Sequence, residues 1–134
     1  MLVDLGLDTS YVGDGRAITE VLAGNAAPTS LNRHRGSLQA LGQAFKQLNA
    51  PFGSFGMATL AIATDGIQTE DEDAYAALDA RLDGWGARRD ALAGQIRAVL
   101  SAAESGGSGA SESTIRSLTR QATALVAEVA AAAP

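Results

Sequence analysis

A chain of 134 residues and 13.6 kDa fits one domain, and an apolar fraction of 46% with only 4% aromatic promises a thin core of Leu, Ala, Ile and Val. With no cysteine and one histidine, it excludes disulfides, thiol nucleophiles, thiolate metal sites and His-rich zinc sites. A net charge of −5 and a pI near 4.7 are the opposite of what a phosphate-binding surface needs, so nucleic acid is not an expected partner.

Residues 1–13 lack a helical period and read as irregular. Asp4 and Asp8 interrupt the apolar start and no Lys or Arg precedes Arg16, so no signal peptide is legible. No segment approaches the roughly 20 apolar residues of a membrane span, and the Ala-rich end is short and holds Glu128. A short helix is expected over 14–23, with Ile18, Val21 and Leu22 on one face and Gly24 as its stop.

A second helix begins after Pro28-Thr29-Ser30. Its stripe is Leu31, His34, Leu38, Leu41, Phe45 and Leu48, and it ends at Asn49-Ala50-Pro51 because the residue before a proline resists helical geometry. Residues 52–67 are ambiguous. Phe52-Gly53-Ser54-Phe55-Gly56 looks like a turn or cap, and Met57 to Thr64 fits a helix or a buried strand. Flanking helices favour a helix closing at Gly66.

The strongest periodicity follows, at Tyr75, Leu78, Leu82, Trp85, Leu92, Ile96, Val99 and Ala103, in alternating steps of three and four. Thr69 and Glu72 have the spacing of a capping box, and Glu70, Asp71, Glu72 and Asp73 place negative charge where the helix dipole favours it. The expected helix covers 70–104, roughly 50 Å at 1.5 Å per residue. Gly84, Gly86 and Gly94 each weaken it by roughly 1 kcal/mol. The two that flank Trp85 read as room for the indole or a close helix crossing, with a kink as the functional alternative. The Gly/Ser loop 105–110 breaks the helix. The last helix starts near Ser111 or Ser113 with the seam Ile115, Leu118, Ala122, Leu125 and Val129. Two matching seams across a short loop predict an antiparallel hairpin over 70–132. The expected architecture is a single all-α domain over 1–134: short helices over 14–67, then the long C-terminal hairpin, making a four- or five-helix bundle.

Chemical motifs are sparse. His34 sits beside Arg33 and Arg35 on an apolar stripe, where a half-buried, hydrogen-bonded side chain outweighs a proton carrier or ligand. The acidic run 65–73 misses the glycine and glutamate positions of an EF-hand and reads as a solvated helix start. No phosphate loop or nucleophile elbow is present, and the only lysine is Lys46. Arg89 occupies the seam slot between Trp85 and Leu92. It is expected either to snorkel or to pair with an acid on another helix, with a register-fixing or partner-binding contact as the alternative. No catalytic, cofactor-binding or metal-ligating residue and no cofactor is therefore assigned. Phe52, Phe55 and Trp85 are candidate interface anchors and equally candidate core residues.

Tyr75-Ala76-Ala77-Leu78-Asp79 and the run Arg88-Arg89-Asp90-Ala91-Leu92-Ala93-Gly94-Gln95-Ile96-Arg97-Ala98-Val99-Leu100 resemble the C-terminal helical region of secreted bacterial phosphoesterases of the alkaline-phosphatase-like and acid-phosphatase type. The stretch 115–133, the run 48–56 and Thr59-Leu60 are similar to the same region, so the likeness covers about residues 48–133. In that family the metal and phosphate chemistry lies in an upstream domain whose motifs have no counterpart here. The resemblance therefore implies a non-catalytic accessory module, and an extracellular location if the chain is a fragment of such a protein. The expected function is a non-catalytic helical packing or interaction module with a protein partner or a second copy. A self-associating coiled coil and a hydrolase-associated subunit are the alternatives.

Overall fold

A computed structural model describes residues 29–67, 71–104 and 109–134. The expected helix over 14–23 and the irregular start over 1–13 lie outside the described residues, as do Thr69 and most of the Gly/Ser loop. What is described is all α-helical. In chain order it comprises α1 (Thr29–Arg33), α2 (Arg35–Asn49), α3 (Ser54–Gly66), α4 (Glu72–Glu104) and α5 (Glu112–Ala130).

The helix expected to begin after Ser30 and stop at Asn49-Ala50-Pro51 starts at Thr29 and is interrupted at His34, whose φ of −125° and ψ of 32° leave the helical region. The stripe on either side of the break is buried as its spacing implies: Leu31, Leu38, Leu41, Phe45 and Leu48 lie in the core. α2 stops where proline dictates, with Ala50 extended ahead of Pro51. The ambiguous stretch resolves as helix α3. Its first N–H group is satisfied from outside, because Gln47 Oε1 of α2 accepts from Ser54 N at 3.2 Å and Ser54 Oγ at 2.8 Å.

α4 begins with Asp71 as its cap. The Asp71 carboxylate accepts from Asp73 N at 3.0 Å and Ala74 N at 3.4 Å, so an acid within the charged run supplies the acceptor expected from Thr69. Ser111 caps α5, accepting from Thr114 N at 3.2 Å.

α5 organises the core. It packs against α2, α3 and α4, and most extensively against α2. Ile115, Leu118, Ala122, Leu125 and Val129 are all buried along one face of it. Glu128 bonds to Trp85 and Arg88, so α5 runs back alongside α4 from the loop. The two helices are nevertheless unequal: α5 has 19 residues against 33 in α4, and Glu128, near the end of α5, reaches α4 at Trp85 and Arg88. Tyr75 is exposed, Leu78 and Leu82 are half-buried, and full burial on α4 is reached only at Trp85, Ala93, Ile96 and Ala103.

The close helix crossing is not at Gly84 or Gly86. A Cβ at either position, or at Gly94, meets no atom within 4 Å, and α4 runs through all three as one helix. The tight approach is at Gly66, where a Cβ would lie 2.0 Å from Leu78 Cδ2 and so could not coexist with the present side chain.

Candidate functional site

Three sets of residues stand apart from simple core packing. The first joins α5 to the N-terminus of α2. Glu112, in the first turn of α5, accepts from Ser37 Oγ at 2.6 Å and from Arg116 Nε at 2.9 Å, and its other oxygen meets His34 Nδ1 at 2.5 Å. The break at His34 thus places the imidazole against an acid that sequence distance hid, 78 residues downstream. The Ser37 hydroxyl, then His34 and Arg116, hold the Glu112 carboxyl below its ordinary range. Chemically this is a clamp. In a nucleophilic triad the imidazole takes the serine proton, whereas here hydroxyl and imidazole both bind the same carboxylate. Beside it a shallow groove of about 360 Å³ is lined by Gly36, Ser37 and Ala40 of α2 and by Arg116, Thr119 and Arg120 of α5.

The second set is a row of arginines on α4 laid over aromatic rings. Arg81 lies 4.5 Å from the Trp85 ring centre, Arg89 5.6 Å from Phe55, and Arg97 5.7 Å from Phe45. They are eight residues apart. Arg89, expected to snorkel or to pair across helices, instead pairs with its own neighbour Asp90, at 2.9 Å from Nε and 2.7 Å from Nη2. Both side chains are long enough to bend toward each other although their Cβ atoms diverge on the helix. It is Arg88 that pairs across helices from this stretch of α4: its guanidinium binds Glu128 through both carboxylate oxygens at 2.7 and 2.8 Å. Trp85 Nε1 donates to the same Glu128 at 2.8 Å. The Arg88 fork first, and the indole second, hold the Glu128 carboxyl down at about 2.

The third set is the outer face of α3. Phe55, Ala58, Ile62 and Gly66 turn into the core. Met57, Leu60 and Ile67 share the opposite face, spaced by three and seven, and are 50%, 61% and 74% exposed. Phe52, in the turn before the helix, is 88% exposed. Asp65 is the only charged residue in the helix. Of the three candidate anchors, Phe55 and Trp85 are core residues and only Phe52 is presented to solvent.

Among the described residues no three His, Cys, Asp or Glu side chains group closely enough to hold a metal, and no helix is long and apolar enough to cross a membrane. Lys46 is exposed. No known protein family matches the chain, and no curated protein or solved structure is significantly similar to it.

Proposed function

We propose that this chain is a non-catalytic helical module that docks against another protein surface, with the outer face of α3 as its contact. One observation carries the reading: α3 buries one apolar face and still presents Met57, Leu60 and, just past its end, Ile67 on the other, beside the exposed Thr64. A helix at the surface of a free-standing bundle ordinarily keeps one apolar stripe and a polar back, so large apolar side chains on both faces are a departure from that pattern. Met57, Leu60 and Ile67 contribute nothing to the core of this chain, since that core is filled by the opposite face. Large apolar side chains gathered on one solvated face mark interaction surfaces rather than chance.

The test is the double substitution Leu60→Lys with Ile67→Lys. If the face lies outside the fold, unfolding stability by urea changes by less than about 0.5 kcal/mol, as for ordinary surface positions. Binding of an apolar fluorescent dye to the folded protein is lost at the same time. A loss of several kcal/mol would show that the face is packed within this chain itself, and the docking reading would fall.

A further inference from the structure

The surroundings of that face indicate what covers it. Seven of the fifteen acidic residues of the chain fall within 65–83, and Arg81 is the only basic residue in the same span. Arg81 is already laid over the Trp85 ring. Asp65 is exposed in the last turn of α3, and Glu72 and Asp73 are exposed in the first turn of α4. None of these three makes an ion pair with a described residue. Gly66 is seated on Leu78, which brings the end of α3 against the first turns of α4, so these acids belong to the same corner as Ile67. Tyr75, 53% exposed one turn before Leu78, adds an aromatic side chain at that end.

We infer, resting on the docking role proposed above, that the partner element is a basic amphipathic helix. Its apolar stripe would lie along Met57, Leu60 and Ile67, and its lysines or arginines would meet the acids at the α3–α4 corner. Helix-on-helix recognition of this kind reads apolar anchors at spacings of three, four and seven, and the steps of the row are three and seven. The acids supply direction and selectivity more than bulk affinity, and their contribution falls with added salt. A partner with an acidic rim would place like charges together at this corner and is selected against.

The experiment uses the full chain and two synthetic helices of about 18 residues, long enough to hold a helix. One is a leucine–lysine amphipathic peptide; the other is its leucine–glutamate counterpart. Fluorescence anisotropy of the labelled peptides is the readout. The expected result is binding of the lysine peptide alone. Leu60→Lys and the triple variant Asp65→Asn, Glu72→Gln, Asp73→Asn should each weaken it about tenfold or more, the equivalent of 1.4 kcal/mol. The triple variant should also flatten the salt dependence, while circular dichroism shows it folded. Equal binding of both peptides would overturn the basic partner and leave the docking face standing. So would a concentration-dependent dimer in sedimentation that Leu60→Lys dissolves, because the occupant would then be a second copy. Binding of neither peptide would overturn the inference. The docking role is judged separately, by the stability of the Leu60→Lys, Ile67→Lys protein.

Discussion

The glycines of α4 give the sharpest test of how this structure is held. Gly84, Gly86 and Gly94 lie within a 33-residue helix, and a methyl group at any of them enters open space. Nothing in the fold requires their lack of a side chain, so only the backbone term remains. A glycine inside a helix costs about 1 kcal/mol relative to alanine, chiefly through the freedom it releases on unfolding. Each single Gly→Ala substitution should therefore stabilise the protein by close to that amount. Positions 84 and 94 are far enough apart for additive effects, and the triple variant should gain about 3 kcal/mol. For a domain of this size each kilocalorie raises Tm by about 4 °C, so the triple variant should melt about 12 °C higher. The opposite sign is expected at Gly53, the cap of α3. There a Cβ would fall 2.6 Å from the Gln47 carbonyl oxygen and 2.7 Å from that of Lys46. Both are backbone atoms at the end of α2 and cannot rotate away, so Gly53→Ala should cost about 1–3 kcal/mol, as overpacking does. Urea and thermal unfolding followed by far-ultraviolet circular dichroism measure all of these without relying on Trp85, which two of the glycines adjoin. If Gly84→Ala or Gly94→Ala destabilises the isolated chain, α4 is not free along that side and the packing described above is wrong. If Gly53→Ala is neutral, the α2–α3 turn is looser than its geometry.

The remaining predictions concern the core and its charged supports. Leu125→Ala, at a position only 1% exposed where α5 meets its neighbours, should lower unfolding stability by about 2–5 kcal/mol in urea titrations. Glu128 has its pKa lowered from 4.5 to about 2 in the folded protein, so its stabilisation is fully present above the unfolded value and is lost as the pH falls from about 4.5 to 2. Glu128→Gln should remove that part of the acid dependence, which denaturation midpoints measured by Trp85 fluorescence at pH 6 and about pH 3 would show as a smaller difference between the two conditions. Ser37→Ala takes away the leading hydrogen bond to Glu112. Its carboxyl pKa, followed by carbon-detected nuclear magnetic resonance, should move up toward the ordinary glutamate range, and no movement would remove Ser37 from the clamp.

How much of this was legible in the sequence differs from helix to helix. α5 was readable outright, because every residue of its seam faces a packed neighbour and spacing alone identifies them. α4 was readable in extent but not in burial. Its apolar period starts at Tyr75, yet α5 is 19 residues long against 33 and cannot cover it all, and periodicity says nothing about where a partner helix ends. The contact made at His34 was hidden because its partner is not local: the carboxylate that meets the imidazole is on α5, and Ser37 and Arg116 converge on the same group. Arg89 misled for a related reason. Helical register rightly points it at a neighbouring helix, where it covers Phe55 of α3, but its acid partner is Asp90 beside it rather than one across the helices. One signal was available and passed over. Arg81 stands four residues before Trp85, a spacing that places a cation on an aromatic ring of the same helical face.

The thin core and the exposed row on α3 are connected by composition. With few aromatic residues, a folding-only sequence of this length would be expected to turn its large side chains inward. Here Phe52 and Tyr75, two of the six aromatic residues, stand half or more exposed, together with Met57, Leu60 and Ile67. Inside, meanwhile, alanines at 58, 93, 103 and 122 fill core positions. Moving apolar volume outward in this way lowers the stability of the free chain and keeps material at one surface that water disfavours. The two features offset each other only when that surface is covered, because covering it recovers the burial that the small core forgoes. The free chain should therefore gain stability from whatever sits on α3, in proportion to how far its concentration exceeds its dissociation constant. A ligand that bound elsewhere, for instance in the groove between α2 and α5, would also stabilise the chain. Only one bound at α3 would lose that effect with Leu60→Lys.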